Sequence, residues 1–316
     1  MLRDTPDGLP TRIVIATRES ALAMWQARHI ESRLAERFPR TRVSILGMTT
    51  EGDRTLDTSL AKIGGKGLFV KELEDALAEG RADIAVHSLK DVPMHLPEGY
   101  TLGAILERAD PRDAFVSSQY ATLLSLPPGA RVGTSSLRRE SQLRAKFPHL
   151  VIEPLRGNVQ TRLRKLDEGA YDAIILAAAG LKRLGLEHRI TTPLAPEDML
   201  PAVGQGALAI ECRTDRTDLL ALLKALHDDA TAACVLAERA LSRSLAGSCN
   251  VPLAGFAEIS DARLRLRGYV GAPDGSRHVS GEVAGGVGEA EALGVTLAAQ
   301  LKSQGAGEIL AALDHT

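Results

Sequence analysis

The sequence predicts an α/β protein of two similar lobes followed by a small α+β domain. Three observations carry that expectation. Strand and helix patterns alternate from the N-terminus. One βα unit then returns: Leu77-Ala-Glu-Gly80-Arg-Ala-Asp83-Ile-Ala-Val86 resembles Leu166-Asp-Glu-Gly169-Ala-Tyr-Asp172-Ala-Ile-Ile175. Each copy is a helix end, a glycine cap, an aspartate and a buried strand. From about residue 228 the pattern changes to one helix followed by three strands that read as antiparallel.

Residues 12–16 form a short apolar strand, and residues 21–38 carry helical spacing at Leu22, Trp25, Ile30 and Leu34. Residues 42–48 alternate as a strand, 67–79 read as a helix and 84–87 as the next strand. This βαβα order predicts a mainly parallel sheet with helices on both faces. A looser echo joins Val14-Ile-Ala-Thr17-Arg18-Glu-Ser20 to Val132-Gly-Thr134-Ser-Ser136, so two α/β halves would face a cleft. The competing explanation is chance likeness between two common βα units. Crossing points between the halves are expected near 106–112 and 200–206, where proline and turn residues collect, with 207–211 returning to the first half. The expected domains are therefore 10–106 with 207–227, then 107–206, then 228–316. In the last, strands at 253–258, 263–270 and 278–283 precede helices at 288–304 and 308–314.

Composition narrows the function classes. The 316 residues suffice for two or three domains, with ordinary hydrophobic (44%) and charged (25%) content. A net charge of −2 gives no general attraction for polyanions, and 3% aromatic residues supply few stacking platforms, which disfavours a nucleic-acid partner. No apolar run reaches membrane-spanning length, and residues 1–10 lack the apolar core of a signal peptide. Three cysteines argue against a disulfide framework and for a reducing cytoplasm.

Basic residues gather in the loops that follow strands. Arg18 follows the first strand, and Lys90 follows Val86-His87-Ser88. Arg138 and Arg139 open a helix after Gly133-Thr134-Ser-Ser136. Arg156 follows the strand at 151–154, and Arg162 lies one turn into the next helix. The carboxyl ends of strands line the ligand crevice of an open α/β sheet, and helix N-termini there favour anions. Arginine adds a bidentate fork for carboxylates. The pattern points to a small ligand with several carboxylates or phosphates. The bland alternative, a solvated helix-surface arginine, holds for any one of these residues better than for all of them together. Asp91 is the lone acid in this setting, placed to accept from an N–H or to stabilise a cation during reaction; as a turn residue before Val92-Pro93 it would be unremarkable. The stretch 49–67, with Gly52, Gly64, Gly65 and Gly67, reads as a mobile lid carrying Lys62, Lys66 and the nearby Phe69. It lacks the phosphate-loop spacing. No metal-ligand spacing occurs, and His87 reads as a packed strand-end histidine.

Cys249 stands apart from Cys212, which ends an apolar run, and Cys234, which sits in a helical pattern. It lies in Gly247-Ser-Cys249-Asn-Val-Pro252, a tight polar loop between a helix and a strand. That is the setting of a reactive or modified thiol.

Seven segments occur in order: Ala16-Thr-Arg18-Glu-Ser20, Lys62-Ile-Gly-Gly-Lys-Gly-Leu-Phe69, His87-Ser-Leu-Lys-Asp-Val-Pro93, Gly133-Thr-Ser-Ser-Leu-Arg-Arg139, Leu155-Arg-Gly-Asn158, Leu200-Pro-Ala-Val-Gly-Gln-Gly206 and Gly247-Ser-Cys-Asn-Val-Pro252. Together they resemble the hydroxymethylbilane synthase (porphobilinogen deaminase) family over nearly the whole chain. Ser248 stands where that family often has a second glycine. The resemblance implies two periplasmic-binding-protein-like lobes plus a small α+β C-terminal domain. It implies a dipyrromethane cofactor held by a thioether to Cys249, and a monomeric transferase. That enzyme joins four porphobilinogen molecules head to tail, releases ammonia each time and frees the tetrapyrrole by hydrolysis. Asp91 would bond the pyrrole N–H groups. Lys90, Thr134, Ser136, Arg138 and Arg139 would hold the cofactor. Arg18, Ser20, Arg156 and Arg162 would hold substrate, with Arg183 and Gln205 as further contacts. Two other classes stay on the table: a two-lobed anion-binding protein without catalysis, and a basic RNA-binding module. The loop cysteine argues against the first, and charge and aromatic content against the second.

Overall fold

In the computed structural model, residues 9–50, 70–245 and 251–313 are described. Lys62, Lys66, Phe69 and Cys249, and most of the expected lid, lie outside them.

The first sheet is built from β1 (Arg12–Arg18), β2 (Arg42–Met48), β3 (Ile84–Ser88), β4 (Tyr100–Ile105) and, from much later in the chain, β10 (Leu208–Arg213). Its order is β2-β1-β3-β10-β4. The second sheet uses β5 (Asp113–Val116), β6 (Arg131–Gly133), β7 (Val151–Glu153), β8 (Ala173–Ala177) and β9 (Thr192–Leu194), in the order β7-β6-β8-β5-β9. The two orders are the same pattern, so each lobe has three parallel strands on one side. The expected mainly parallel sheet needs one correction. Beyond those three strands each sheet continues antiparallel, through β10 and β4 in the first and β5 and β9 in the second. The reason is chain direction: β5 and β10 are the strands that follow the two crossing segments, and they enter beside β8 and β3 against the parallel set.

The repeated motif has the same local physics in both lobes. Helix α2 (Lys71–Ala78) ends before Gly80, at φ +69°, and helix α4 (Val159–Asp167) before Gly169, at φ +76°. Both lie in the left-handed region that glycine occupies without strain. Each glycine is followed by an aspartate that brackets the middle strand of its lobe's parallel set. Asp83 donates its N–H to Val14 O and accepts from Val14 N at 2.8 Å. Asp172 donates to Arg131 O and accepts from Arg131 N at 2.7 Å. Two carboxylates doing one backbone task make chance likeness a poor explanation of the repeat.

Helix α1 (Ala21–Arg37) starts at Ser20, whose hydroxyl accepts from Ala23 N. Its buried face is Gln26, Ala27, Ile30 and Leu34. Leu22 and Trp25, expected on that face, are only half-buried; the stripe is turned by about one residue, and Leu22 lines a pocket instead. The first lobe's core joins Ile13, Ile15, Ile30, Leu34, Ile84 and Ile210; the second has clusters around Phe115, Val132 and Leu143 and around Leu155, Ile174 and Leu181.

The remaining helices are α3 (Leu137–Lys146), α5 (Ala178–Arg183), α6 (Thr217–Leu223), α7 (Asp229–Leu245), α8 (Ala290–Ser303) and α9 (Ala306–Ala311). The C-terminal sheet, β11 (Leu253–Ser260), β12 (Arg263–Gly271) and β13 (His278–Gly286), is antiparallel in chain order. Gly268 on β12 leaves room for Leu241 of α7 and Leu297 and Leu301 of α8.

The chain divides into two compact units. One is Met1–Arg108 with Ala207–Ala232, the other Ala109–Gly206 with Ala233–Thr316. Within the second, Glu238 of α7 is fully buried and accepts from Gly204 N at 2.7 Å and Ala257 N at 2.8 Å, tying the loop before β10 to β11. The Ser141 and Tyr269 hydroxyls meet at 2.9 Å, and Arg267 reaches Glu197 at 2.6 Å.

Candidate active site

The first unit holds a pocket at the carboxyl ends of β1 and β3. Arg18, Ser20, Gln26, His87, Ser88 and Asp91 line it. The 3-10 turn Leu89–Asp91 follows β3 directly: Leu89 is buried beneath it, while Lys90 and Asp91 are half-buried on it. Gln26, almost wholly buried, donates to Ser88 Oγ at 2.7 Å and fixes the approach to this turn. Three residues expected from sequence, Arg18, Ser20 and Asp91, are thus brought to one place. Beside them are His87, read from sequence as a packed strand-end histidine and buried here at 7% exposure, and Glu211, which sequence did not single out. His87 Nε2 lies 2.9 Å from Glu211 Oε2 on β10, and Glu211 is completely buried. The signal for Glu211 was a carboxylate inside the apolar run Ala207-Leu-Ala-Ile-Glu-Cys212.

The second unit gathers the other basic residues. Thr134 is buried and its hydroxyl accepts from Ser136 N at 3.2 Å. Ser136 is the N-cap of α3, and its own side chain makes no capping bond. Arg138 and Arg139, on the first turns of α3, are both buried against Asp113 of β5. Arg138 Nη1 is 2.8 Å from Asp113 Oδ2 and donates to Leu200 O at 2.7 Å. Arg139 donates to Asp113 Oδ1 at 2.7 and 3.1 Å and to Ile175 O. Gln205 joins the same carboxylate at 2.9 Å. Burial pushes Asp113 up, but the two guanidiniums outweigh it and hold the group well below the usual carboxylate range. Arg138 Nε is buried without a hydrogen-bond partner. Arg183, on α5, donates to Gly206 O at 2.7 Å, and burial pushes it down to about 10. Arg156 and Arg162 are half-buried around the start of α4, where Arg162 donates to Gly157 O at 2.8 Å. Asp113 escaped the sequence reading because Asp-Ala-Phe-Val is an ordinary strand with a polar first residue.

Residues 13–221 match the family described as porphobilinogen deaminase, dipyromethane cofactor binding domain, and residues 232–303 match porphobilinogen deaminase, C-terminal domain. The chain is 65% identical to the porphobilinogen deaminase of Nitrosomonas europaea, over 96% of this chain and 99% of that protein. The chain belongs to the porphobilinogen deaminase family. It is also 60% identical to the porphobilinogen deaminase of Neisseria meningitidis, over 97% of this chain and 99% of that protein. Among solved structures it is similar to the methionine-binding protein MetQ, with 13% identity and a TM-score of 0.43, covering 70% of this chain and 92% of that one. The deaminase match to the cofactor-binding family spans both strand systems described above, including β10 on its return to the first sheet. No helix among the described residues is long and apolar enough to cross a membrane.

Proposed function

We propose that the chain is a hydroxymethylbilane synthase whose first-unit pocket carries the chemistry and whose second-unit arginines hold carboxylates. It is a transferase that polymerises four porphobilinogen molecules head to tail into the linear tetrapyrrole hydroxymethylbilane, releasing ammonia, in tetrapyrrole and haem biosynthesis. The observation that supports this allocation is the placing of Asp91 and Arg18 in one pocket at the strand ends.

The residues suit a dipyrromethane group. Its acetate and propionate carboxylates call for cationic donors, and Arg138 offers a buried Nε without a partner beside an uncapped helix start at Ser136. Lys90, Thr134, Ser136, Arg138 and Arg139 would hold it, and Cys249 would bear its thioether. When bound, the group supplies the free pyrrole α-carbon from which the chain is extended. Asp91 accepts pyrrole N–H donors and stabilises the positive charge that develops as ammonia departs. Arg18, Ser20, Arg156, Arg162, Arg183 and Gln205 bind the carboxylates of substrate and lengthening chain; Lys62, Lys66 and Phe69, of the expected lid, lie outside the described residues. The functional division we propose is 10–106 with 207–227, then 107–206, then 228–316 for the domain carrying the cofactor thiol. The reading includes a cytoplasmic monomer with no nucleic-acid or membrane partner.

Peptide mass mapping of the purified, active protein tests the allocation. A dipyrrole adduct on the Cys249 peptide alone is expected. An adduct on Cys212 or Cys234, or an unmodified chain that still forms hydroxymethylbilane, overturns it.

A further inference from the structure

The pocket has a buried ion-pairing system that the roles above leave unused. His87 lines the pocket, four residues before Asp91, and is only 7% exposed. Its Nε2 faces Glu211, which has no exposure and whose carboxylate oxygens make no hydrogen bond of good geometry. A carboxylate taken wholly out of water is costly unless a charge or proton compensates it. A proton arriving on the ring of His87 provides that compensation. The arrangement repeats the logic of an acid–histidine pair, in which a buried acid orients the ring and stabilises its protonated form.

We infer that His87, oriented by Glu211, accepts the proton that each condensation sets free. This rests on the reaction proposed above. In each round the C–N bond of the porphobilinogen aminomethyl group breaks and ammonia leaves. The methylene carbon then bonds to the free α-carbon at the chain end. That carbon's C–H bond breaks, its electron pair returns to the ring, and the proton passes to the imidazole. Glu211 is the positioning residue. Other groups set the field around the pair. On α2 they are Glu74 and Asp75, and on β10 Arg213. Tyr100 is on β4, Arg18 and Asp91 line the pocket with His87, and Lys90 lies in the turn beside Asp91. Burial, and then Glu211, pushes Glu74 up to about 7, so Glu74 adds little negative charge of its own beside the pair.

The test uses full-length protein whose dipyrromethane was assembled on the apo-protein from porphobilinogen deuterated at its free α-carbon, with the same deuterated porphobilinogen as substrate, so that every chain end carries deuterium. His87→Asn should lower the single-turnover rate by about 10²-fold or more and bring out a primary isotope effect, because proton removal becomes slow. Glu211→Gln should do the same more weakly, with KM little changed. In wild-type protein with ¹⁵N-labelled histidine, the His87 titration should coincide with the acid limb of the single-turnover pH profile, a comparison that needs no variant to fold. A wild-type rate in His87→Asn, a slow variant without an isotope effect, or a mismatch between the titration and the acid limb overturns the inference. So does an isotope effect that appears in Asp91→Asn and not in His87→Asn, which makes Asp91 the acceptor. None of these outcomes touches the adduct and the product, by which the proposed reaction itself is judged.

Discussion

Replacing Asp113 by Asn keeps the shape of the side chain and removes the one charge that faces two buried guanidiniums. In the wild-type protein Asp113 has no exposure, Arg138 4% and Arg139 5%. Oδ1 serves Arg139 and Gln205, and Oδ2 stands 2.8 Å from Arg138 Nη1. If the new amide oxygen keeps the first pair, its NH₂ group faces another donor at Arg138. Breaking a buried ion pair by removing one partner costs about 3–5 kcal/mol, a large share of the roughly 5–15 kcal/mol that holds a domain folded. The chain has two compact units, so one global unfolding curve is the wrong measurement. Amide hydrogen exchange on peptides covering β5 and α3 reads the opening of this unit. At about 1.4 kcal/mol per decade, exchange there should rise by between about 10² and 10⁴, while β1 and β3 stay near wild type. The folded-state pKa of Asp113 is depressed, so its stabilisation is present above the unfolded carboxylate value. It is lost only as pH falls through the lower folded value, and the gap between variant and wild type should be equal at pH 5 and pH 7. Adding Arg138→Leu to Asp113→Asn removes one of the stranded charges and should restore part of the protection. Wild-type exchange in the single variant, or a further full loss in the double, refutes the assignment of Asp113 as the counter-charge.

Asp91→Asn should slow the chemical step by about 10²–10³ at normal cofactor occupancy, with Asp91→Glu retaining more activity; an Asn variant faster than Glu in single-turnover assays makes Asp91 a turn residue. Glu74 is raised to about 7, so the folded state holds an extra proton between the unfolded value near 4.5 and pH 7, and stability falls as pH rises through that window. After discount for its half-exposed position, Glu74→Gln should gain about 1–2 kcal/mol at pH 8 and nothing at pH 4.5, read by hydrogen exchange in α2. Burial pushes the Cys212 thiol up to about 11, and Cys234 is also buried; at pH 8 neither should react with a thiol reagent until denaturant is added, and prompt labelling of Cys212 in native protein contradicts that setting.

Much of the architecture was legible because it repeats. The Gly80-to-Val86 and Gly169-to-Ile175 units announced two lobes through their glycine caps and aspartates, which turn out to serve identical backbone positions. The return of residues 208–213 to the first sheet was legible as an apolar strand after a turn-rich crossing. The antiparallel direction of β5 and β10 was not, since strand patterns carry no direction. At the site, loop positions exposed Arg18 and Asp91, because basic and acidic residues after strands have few structural reasons to be there; Ser20 was legible only through the motif that holds Arg18. Arg138 and Arg139 were legible as a pair, but their shared partner Asp113 was not, since an aspartate 25 residues upstream at a strand start gives no hint of what it faces. Glu211 was visible as an anomaly in an apolar strand; its pairing with His87 depends on register across a sheet, which one sequence does not state.

The place of β10 has a consequence for how the protein is made. It lies between β3 and β4 and hydrogen-bonds to both, although about a hundred residues and an entire second sheet separate it from them along the chain. While the ribosome has released only the first half, the nascent first lobe has β3 and β4 with a strand-wide gap between them. Both borders of that gap are unpaired edges open to the wrong strand. Closure waits until residue 213 emerges, by which time the second sheet, apart from its crossing segments, is already complete in sequence. At synthesis rates of about 5–20 residues per second, that leaves the earlier lobe unfinished for several seconds, so the second lobe is free to fold first and the N-terminal one last.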